Sequence, residues 1–243
     1  MAKNRQTVLR GKLALITGAS RGIGLAIAHA LAGEGCDLVI SGRNPSSLNQ
    51  AAKQLAKHEI SVRPVVCDVR DADAVEALLA AIEGRFRRLD ILINNAGIAH
   101  SNLPVAKLPV EEWKEVIETN LTGMFLVTRA ALPLMKRGST IVTNLSISAK
   151  RVFPGASAYN ASKHGALGFT NTLREELREK GIRVIALLPG ATDTAIWNTF
   201  WPQAPRKRMM SAGTVARAVV NALTLPEETT LEELTILPSA GTL

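Results

Sequence analysis

Short apolar runs alternate along the chain with longer segments in which apolar residues recur at helical spacing. Runs rich in Val, Ile and Leu predict strands at 12–17, 37–41, 61–66, 89–94, 139–145, 182–188 and 232–237. Helices are predicted near 22–34, 45–57, 72–86, 110–136, 157–180 and 212–224. The strict alternation, with no repeat or linker, predicts a single-domain α/β fold: a Rossmann-type doubly wound parallel sheet of about seven strands.

Composition narrows the functional class. With 243 residues and a 47% hydrophobic content, the chain is typical of a globular domain. The polar N-terminus has no signal-peptide core, and no stretch is apolar enough to span a membrane, so we expect a cytoplasmic protein without a membrane partner. Cys36 and Cys67 border strands and are interpreted as small buried hydrophobic residues in a reducing compartment.

The net charge of +8 is spread along the chain. No basic run or basic helix stripe is present, which argues against a nucleic-acid partner and leaves an anionic small molecule as the simplest explanation. The four histidines are scattered in sequence, at positions 29, 58, 100 and 164, so we expect no metal site.

A glycine-rich turn follows the first predicted strand. It runs from Thr17 to Gly24 and leads into the first predicted helix. Glycine allows a tight turn and a close backbone approach to phosphate, and a helix N-terminus offers free N–H groups. The spacing, Gly-x3-Gly-x-Gly, differs from the common dinucleotide fingerprint. Phosphate binding is therefore favoured over a merely structural turn.

Four polar residues further along have the types that acid–base chemistry requires. Tyr159, the one tyrosine of the chain, and Lys163 share a helix face because they are four residues apart. Ser146 follows a strand, at the edge where ligands bind in such sheets, and Asn120 lies within the helix predicted over 110–136. Taken alone, the Tyr–Lys pair also fits an exposed helix surface, and Asn120 fits a kinked point of its helix.

The complete ordered set resembles the short-chain dehydrogenase/reductase family over about residues 11–237. Thr17-Gly18-x3-Gly22-x-Gly24 is similar to the cofactor loop of that family, and Asn94-Asn95-Ala96-Gly97 to its NNAG segment. Asn120, Ser146, Tyr159 and Lys163 match its catalytic tetrad, and Pro189-Gly190 with Thr194 resembles its nicotinamide-side motif.

The resemblance implies a role for each member of the tetrad. Tyr159 is the acid/base for a carbonyl or secondary alcohol, and Ser146 hydrogen-bonds the same oxygen. Lys163 holds the nicotinamide ribose, and Asn120 supports a water chain. A free phenol has a pKa of ~10, so we expect the charge of Lys163, together with the oxidised nicotinamide, to move the pKa of Tyr159 toward neutrality.

The resemblance also implies a set of residues that contact the cofactor. These are Gly18, Ser20, Arg21, Gly22, Ile23, Gly24, Arg43, Asp68, Val69, Asn94, Ala96, Gly97, Tyr159, Lys163, Pro189, Gly190, Thr192 and Thr194. Asp68 is expected at the adenine amino group and Val69 against the ring. The alternative for Asp68 is a carboxylate that begins a helix.

The end of the second strand predicts which cofactor is used. An acidic residue at this position bonds the ribose 2′-hydroxyl of NAD, whereas arginine accepts the 2′-phosphate of NADP. This chain has Gly42 followed by Arg43, and Arg21 in the glycine loop can approach the same phosphate. We therefore predict NADP(H) in preference to NAD(H); two solvated loop arginines are the alternative explanation.

Residues 195–210 are predicted to form a substrate lid. Trp197 and Trp201 are four apart, so one helical turn would place both on one face, toward substrate or toward a packing partner. Val152 and Phe153 are expected to face them. His100, Ser101 and Leu103, after the NNAG segment, are expected to form another wall.

Two further predictions concern assembly and partners. The C-terminus lacks the Gly-rich end of many family members, which argues against a homotetramer. A homodimer through helices 110–136 and 157–180 is the other assembly considered. Arg137 and Lys180 match a basic patch thought to dock acyl carrier protein, so a carrier-bound 3-oxoacyl thioester is one substrate considered. Ordinary surface charge is the simpler explanation of both residues.

The resulting hypothesis is an NADP(H)-dependent oxidoreductase acting on a small carbonyl or secondary alcohol. Residues 1–10 are expected to be a flexible basic extension, and 11–243 a single dinucleotide-binding domain. The alternatives are an NAD-dependent secondary-alcohol dehydrogenase and a non-catalytic nucleotide-sensing or scaffold protein on the same fold.

Overall fold

A computed structural model describes residues 9–242 and contains one seven-stranded sheet. The strands are β1 (Leu13–Thr17), β2 (Asp37–Gly42), β3 (Val62–Val66), β4 (Ile91–Asn94), β5 (Thr140–Asn144), β6 (Arg183–Pro189) and β7 (Glu233–Ile236). All neighbouring strands are parallel, in the order β3-β2-β1-β4-β5-β6-β7. The predicted doubly wound parallel sheet is confirmed, with each predicted strand within two residues of its observed ends.

Helices cover both faces of the sheet. They are α1 (Gly22–Gly33), α2 (Pro45–Leu55), α3 (Ala72–Phe86), α4 (Val110–Ile117), α5 (Gly123–Ala131), α6 (Ser157–Arg178), α7 (Trp197–Phe200) and α8 (Ala212–Leu223). The core on one face contains buried side chains of α1, α2 and α8, and the core on the other contains those of α3, α5 and α6. Continuous apolar strands are expected where both faces of a sheet are buried.

Local sequence explains where several helices begin. Asn44 accepts a hydrogen bond from the backbone N–H of Ser47 at 2.9 Å, and Pro45 occupies the first turn of α2. Asp71 caps α3 by accepting from the amides of Asp73 and Ala74. Side-chain oxygens at these positions satisfy N–H groups that have no partner within the helix.

The helix predicted over 110–136 is not continuous. A π-helical turn over Glu118–Thr122 separates α4 from α5, and a 3₁₀ turn over Leu132–Leu134 follows. At Gly123 an added Cβ would lie 2.7 Å from Cγ2 of Val69, so α5 closely approaches the segment after β3. Apolar periodicity does not record an extra residue in one turn, and π turns often occur at functional sites.

The sheet reverses its winding direction between β1 and β4, which are hydrogen-bonded neighbours. Ligands of open α/β sheets bind in the crevice beyond the carboxyl ends of strands at such a point. Both the glycine loop after β1 and the NNAG segment after β4 lie there. The fold therefore brings together two motifs that are about 70 residues apart in sequence.

The first residue that the structure describes, Leu9, belongs to the folded body. Most of the extension predicted over 1–10 falls on residues 1–8, which lie outside the described residues. Leu9 is 5% exposed and belongs to the core that contains α1 and α8, so packed structure already exists before β1. Within residues 9–242, no helix is both long enough and apolar enough to cross a membrane.

Candidate active site

The glycine loop after β1 is closed against the NNAG segment. Gly18 has a φ of +63°, and an added Cβ there would lie 2.9 Å from Cα of Ala96. An added Cβ at Gly24 would lie 2.6 Å from the carbonyl oxygen of Gly18. No side chain caps the N-terminus of α1. Its first amides therefore stay available to the phosphates of a nucleotide, as the sequence predicted.

Asn95 holds this arrangement together, although the predicted set of contact residues omitted it. Its amide nitrogen donates to the carbonyl oxygens of Thr17 at 2.8 Å and Gly18 at 3.1 Å. Its own oxygen accepts from the side chain of Asn144 at 2.8 Å. The position of Asn95 directly after β4 was the available sequence evidence, but its partners are non-local and no local pattern reveals them.

One cleft of about 1170 Å³ extends along the carboxyl edge of the sheet. Seventeen of the predicted cofactor residues line it: Gly18, Ser20, Arg21, Gly22, Ile23, Gly24, Arg43, Asp68, Val69, Ala96, Gly97, Tyr159, Lys163, Pro189, Gly190, Thr192 and Thr194. Ser146 lines it as well. The cleft is therefore long enough to bring the glycine loop and the Tyr–Lys pair into a single site.

Two predicted residues lie behind the wall of the cleft. Asn94 is 5% exposed and donates to the Thr128 hydroxyl at 2.8 Å, because it is the last residue of β4 and points into the α5 layer. Asn120 lies in the π turn and binds both the N–H and the C=O of Ile98, at 2.8 and 2.9 Å. In this structure Asn120 fixes the segment that follows Gly97.

Ser146, Tyr159 and Lys163 converge at the middle of the cleft. The side chain of Ser146 lies beside the phenol of Tyr159, close enough to lower the pKa of that phenol in part. The Lys163 ammonium lies 5.6 Å from the centre of the tyrosine ring and donates to the backbone carbonyl of Asn144 at 3.0 Å. Asn144, the last residue of β5, is a second residue that the predicted set missed.

The pKa of Tyr159 moves in the direction opposite to the one predicted for the complete site. Burial raises the pKa of the phenol, and the side chain of Ser146 opposes this only in part. Burial also lowers the pKa of Lys163 to about 8. Removing a charged group from water disfavours its ionised form, so a buried lysine alone is a weaker source of positive potential than the sequence argument assumed.

The adenosine end of the cleft contains a network of charges. Arg70 binds both carboxylate oxygens of Asp68, the shorter contact being 2.6 Å, and holds the pKa of Asp68 below its usual value. Glu115 lies 3.4 Å from Arg70 and 3.5 Å from Arg43. Asp68 does not cap a helix here, since Asp71 has that role. Arg70 and Glu115 were not predicted, because their positions depend on how α4 meets the sheet.

Arg43 and Gly42 leave room for a ribose substituent. Arg43 reaches the cleft from the end of β2 with 48% of its side chain exposed. An added Cβ at Gly42 would lie 3.7 Å from Ser20 Oγ, an ordinary contact distance. The Cβ position of Gly42 is therefore unobstructed, and Arg43 stands at the wall of the cleft.

The segment predicted as a lid packs against Tyr159. Within it, Trp197 and Trp201 are neighbours on one helical turn, with ring centres 6.4 Å apart. Phe200 contacts Tyr159, with ring centres 6.2 Å apart. Arg206 fastens the segment by donating to Asp193 at 2.9 Å and to Asn198 at 2.8 Å.

The prediction for the walls beside the lid is right for Phe153 and wrong for the other residues named. Phe153 lines the cleft, whereas Val152 is 74% exposed outside it. Among residues 100–103, only Asn102 reaches the cleft. His100 is buried behind Phe200, and Ser101 is held by Glu112, which accepts from its N–H at 2.8 Å. These contacts with α4 set the orientation of the loop, and the sequence does not encode them locally.

Other predicted groups lie away from the cleft centre. Arg137 and Lys180 precede β5 and β6, at the amino edge of the sheet opposite the cleft.

Cys36 and Cys67 are free and buried as expected, and burial raises the pKa of these thiols to about 12 and about 11. His29 and His58 meet at 3.2 Å, although the part of the chain described here holds no group of three or more metal-ligating side chains.

Comparison with known proteins agrees with this geometry. Residues 12–205 match the family described as short chain dehydrogenase. An uncharacterized oxidoreductase of Staphylococcus aureus (strain MRSA252) is 36% identical over 234 residues, which cover 96% of this chain and 99% of the relative.

Two solved structures share the fold across nearly the whole chain. An alcohol dehydrogenase of the archaeon Thermococcus sibiricus, complexed with 5-hydroxy-NADP, has a TM-score of 0.89 and 31% identity, covering 96% of this chain and 98% of that one. A 3-ketoacyl-(acyl-carrier-protein) reductase of Brucella melitensis, complexed with NADH, has a TM-score of 0.86 and 29% identity, covering 95% and 98%.

Proposed function

Because the chain belongs to the short-chain dehydrogenase family, we propose that it is an NADP(H)-dependent oxidoreductase that interconverts a carbonyl and a secondary alcohol. The convergence of Ser146, Tyr159 and Lys163 in one nucleotide-sized cleft carries this proposal. The cofactor-binding and catalytic tetrad residues named from the sequence remain predictions until variants are measured.

Tyr159 and Ser146 have different roles at the substrate oxygen. Bound nicotinamide supplies or accepts the hydride at the carbon atom, and the protein handles the proton. In reduction, the phenol O–H of Tyr159 gives its proton to the oxygen, while Ser146 hydrogen-bonds that oxygen and stabilises its developing charge. Since burial raises the pKa of Tyr159, the phenol is protonated at neutral pH, which suits reduction.

The preference for NADP(H) rests on charge at the ribose. Arg21 and Arg43 line the cleft, and Gly42 occupies the place where a carboxylate would repel a 2′-phosphate. Charge-assisted contacts of this kind contribute about 1.5–3 kcal/mol each. The Thermococcus relative is described with an NADP derivative and the Brucella relative with NADH, so NAD(H) is the competing assignment.

Two other functions receive less support. A scaffold protein has no use for a buried lysine beside a tyrosine, because burial of that charge lowers stability without benefit. The 3-oxoacyl thioester hypothesis is supported by the Brucella relative. However, Arg137 and Lys180, the residues expected to dock a carrier, lie at the sheet edge opposite the cleft.

The decisive experiment removes the phenol oxygen. Tyr159→Phe should lower kcat by at least about 10³-fold, since the proton donor is lost, while the Kd for NADPH stays nearly unchanged. Oxidation of NADPH is followed at 340 nm with a ketone panel, and the Kd by titration. Near-normal turnover by this variant on a good substrate would contradict the mechanism.

A further inference from the structure

The distribution of charge along the cleft indicates what kind of substrate fits. Five charged side chains among residues 9–242 line it: Arg21, Arg43, Asp68, Glu115 and Lys163. The first four lie on the half of the sheet formed by β3, β2 and β1. Three of them follow these strands, and Glu115, on α4, is bonded to Arg43. The other half, beyond β4, is called the substrate half. Among residues 9–242, Lys163 is the one charged side chain that lines it, and it donates to the Asn144 carbonyl beside Tyr159.

Charged residues on the elements of this half include two ion pairs. Arg206 binds Asp193 at 2.9 Å, and Lys150 forms an ion pair with Glu233. These groups are absent from the cleft lining. A substrate carboxylate or phosphate placed beside Tyr159 would therefore lose its hydration without gaining a dedicated cationic partner, which costs several kcal/mol for a buried charge.

Aromatic rings lie in the lining of the substrate half. Phe200 lies 6.2 Å from Tyr159 and 5.9 Å from Trp197, measured between ring centres, and Trp201 and Phe153 complete the apolar part of the lining. The polar side chains at this end are neutral, as in Asn102, Ser148 and Thr199. A flat apolar group next to the reacting carbonyl would pack against these rings, where aromatic contacts add to the burial of apolar area.

We propose that the substrates are uncharged ketones, or the matching secondary alcohols, with an aromatic or alicyclic group beside the reacting carbon. This inference rests on the proposed oxidoreductase function. It excludes oxo acids, sugar phosphates and amino acids as good substrates. The apolar group lies against Phe200, and the carbonyl oxygen faces Ser146 and Tyr159.

Two compounds of nearly equal size test the role of charge. Benzoylformamide and benzoylformate differ in having a neutral amide or a carboxylate beside the same aryl ketone. With the intact protein and NADPH, kcat/KM should be at least about 100-fold higher for the amide, because the one cation that residues 9–242 place at this end of the cleft, Lys163, already donates to the Asn144 carbonyl. Equal or better reduction of benzoylformate would overturn the inference and leave the oxidoreductase function intact.

A variant tests the role of the ring. Phe200→Leu should lower kcat/KM for acetophenone about tenfold relative to butanone, since a ring contact is lost only with the aromatic substrate. Phe86→Leu on α3, distant from the cleft lining, is the matched control and should leave that ratio unchanged. An unchanged ratio in Phe200→Leu would contradict the inference. If no compound of this set is reduced with NADPH or NADH, the proposed function fails together with it.

Discussion

Lys163 shows, at the scale of single residues, how a functional group opposes stability. It is 5% exposed, and its folded pKa of about 8 lies below the ordinary value of 10.5. Between these two pH values the unfolded chain binds more protons than the folded one, so this group makes the free energy of unfolding rise with pH. Below pH 8 the whole unfavourable contribution is present.

Lys163→Met is therefore expected to stabilise the cofactor-free protein at pH 7. The gain should be about 2 kcal/mol, which is less than the full pKa difference implies, because the Asn144 carbonyl loses its donor. The gain should shrink as pH rises from 8 to 10.5. Urea unfolding of both proteins across this range measures it, and Lys53→Met, at an exposed position of α2, is the control. A variant that is less stable than wild type at pH 7 would contradict the burial argument.

Cofactor choice also belongs to the residue scale. Gly42→Asp combined with Arg43→Leu should change the kcat/KM ratio of NADPH to NADH by at least about tenfold toward NADH, because a carboxylate repels the 2′-phosphate and a charge-assisted contact is lost. The space around the Gly42 Cβ position accepts a side chain without distorting the backbone. Gly42→Ser is the matched control. A wild-type enzyme that prefers NADH would show the assignment of β2 to be wrong.

At the scale of elements, the lid is a segment that polar contacts fasten at its base. Arg206 joins Asp193, the Thr194 carbonyl and Asn198, and the Trp197 indole donates to the Thr192 carbonyl at 2.9 Å. The helical turn in between contributes little stability of its own, since it contains four residues. The position of the lid over Tyr159 therefore depends on these few bonds and ring contacts.

We predict that the lid changes its environment when the site fills. In a Trp113→Phe background, which leaves Trp197 and Trp201, emission should shift on addition of NADP⁺ together with a ketone, a pair that binds without reacting. Arg206→Met should raise KM severalfold and speed hydrogen exchange over 195–209, whereas Lys207→Met should do neither. Emission that is insensitive to both ligands would mean that the tryptophans belong to fixed packing.

At the scale of the whole molecule, two helices predicted at an interface carry partly exposed aromatic side chains. Trp113 on α4 and Phe125 on α5 are 40% and 41% exposed, and Phe125 packs edge-to-face with Phe169 of α6 at 6.1 Å. These helices form one outer layer of the domain. Exposed aromatic groups of this size commonly mark association surfaces, which agrees with the homodimer predicted through helices 110–136 and 157–180.

The corresponding prediction concerns molecular mass. Wild-type protein should elute as an assembly of at least two 26.0 kDa chains, and Phe125→Asp should shift it toward the monomer, because the charge would be buried in the interface. Light scattering after size exclusion measures this. Val66→Asp, at an exposed position on the edge strand β3, is the control. A monomeric wild type would show that this surface has another role.

The sequence predicted the elements well because their determinants are local. Apolar runs located all seven strands, and cap residues such as Asp71 located helix starts. The order of motifs along an alternating chain also placed the glycine loop, Ser146 and Tyr159 on the same sheet edge, since parallel strands all end there. Periodicity was wrong in predicting one continuous helix over 110–136, since a π turn interrupts it at Asn120, where a kinked point was the alternative explanation.

By itself, then, the sequence determined the fold class and the position of the cleft, and it singled out the Tyr159–Lys163 pair that lies there. Only the tertiary structure decided which groups meet across it: Asn95 with Asn144, Glu115 with Arg43, and Phe200 with Tyr159. It also decided the direction of the Tyr159 pKa, because burial depends on every element packed around the ring. Periodicity and spacing record the neighbours along the chain, whereas contact, charge pairing and desolvation depend on residues far apart in it.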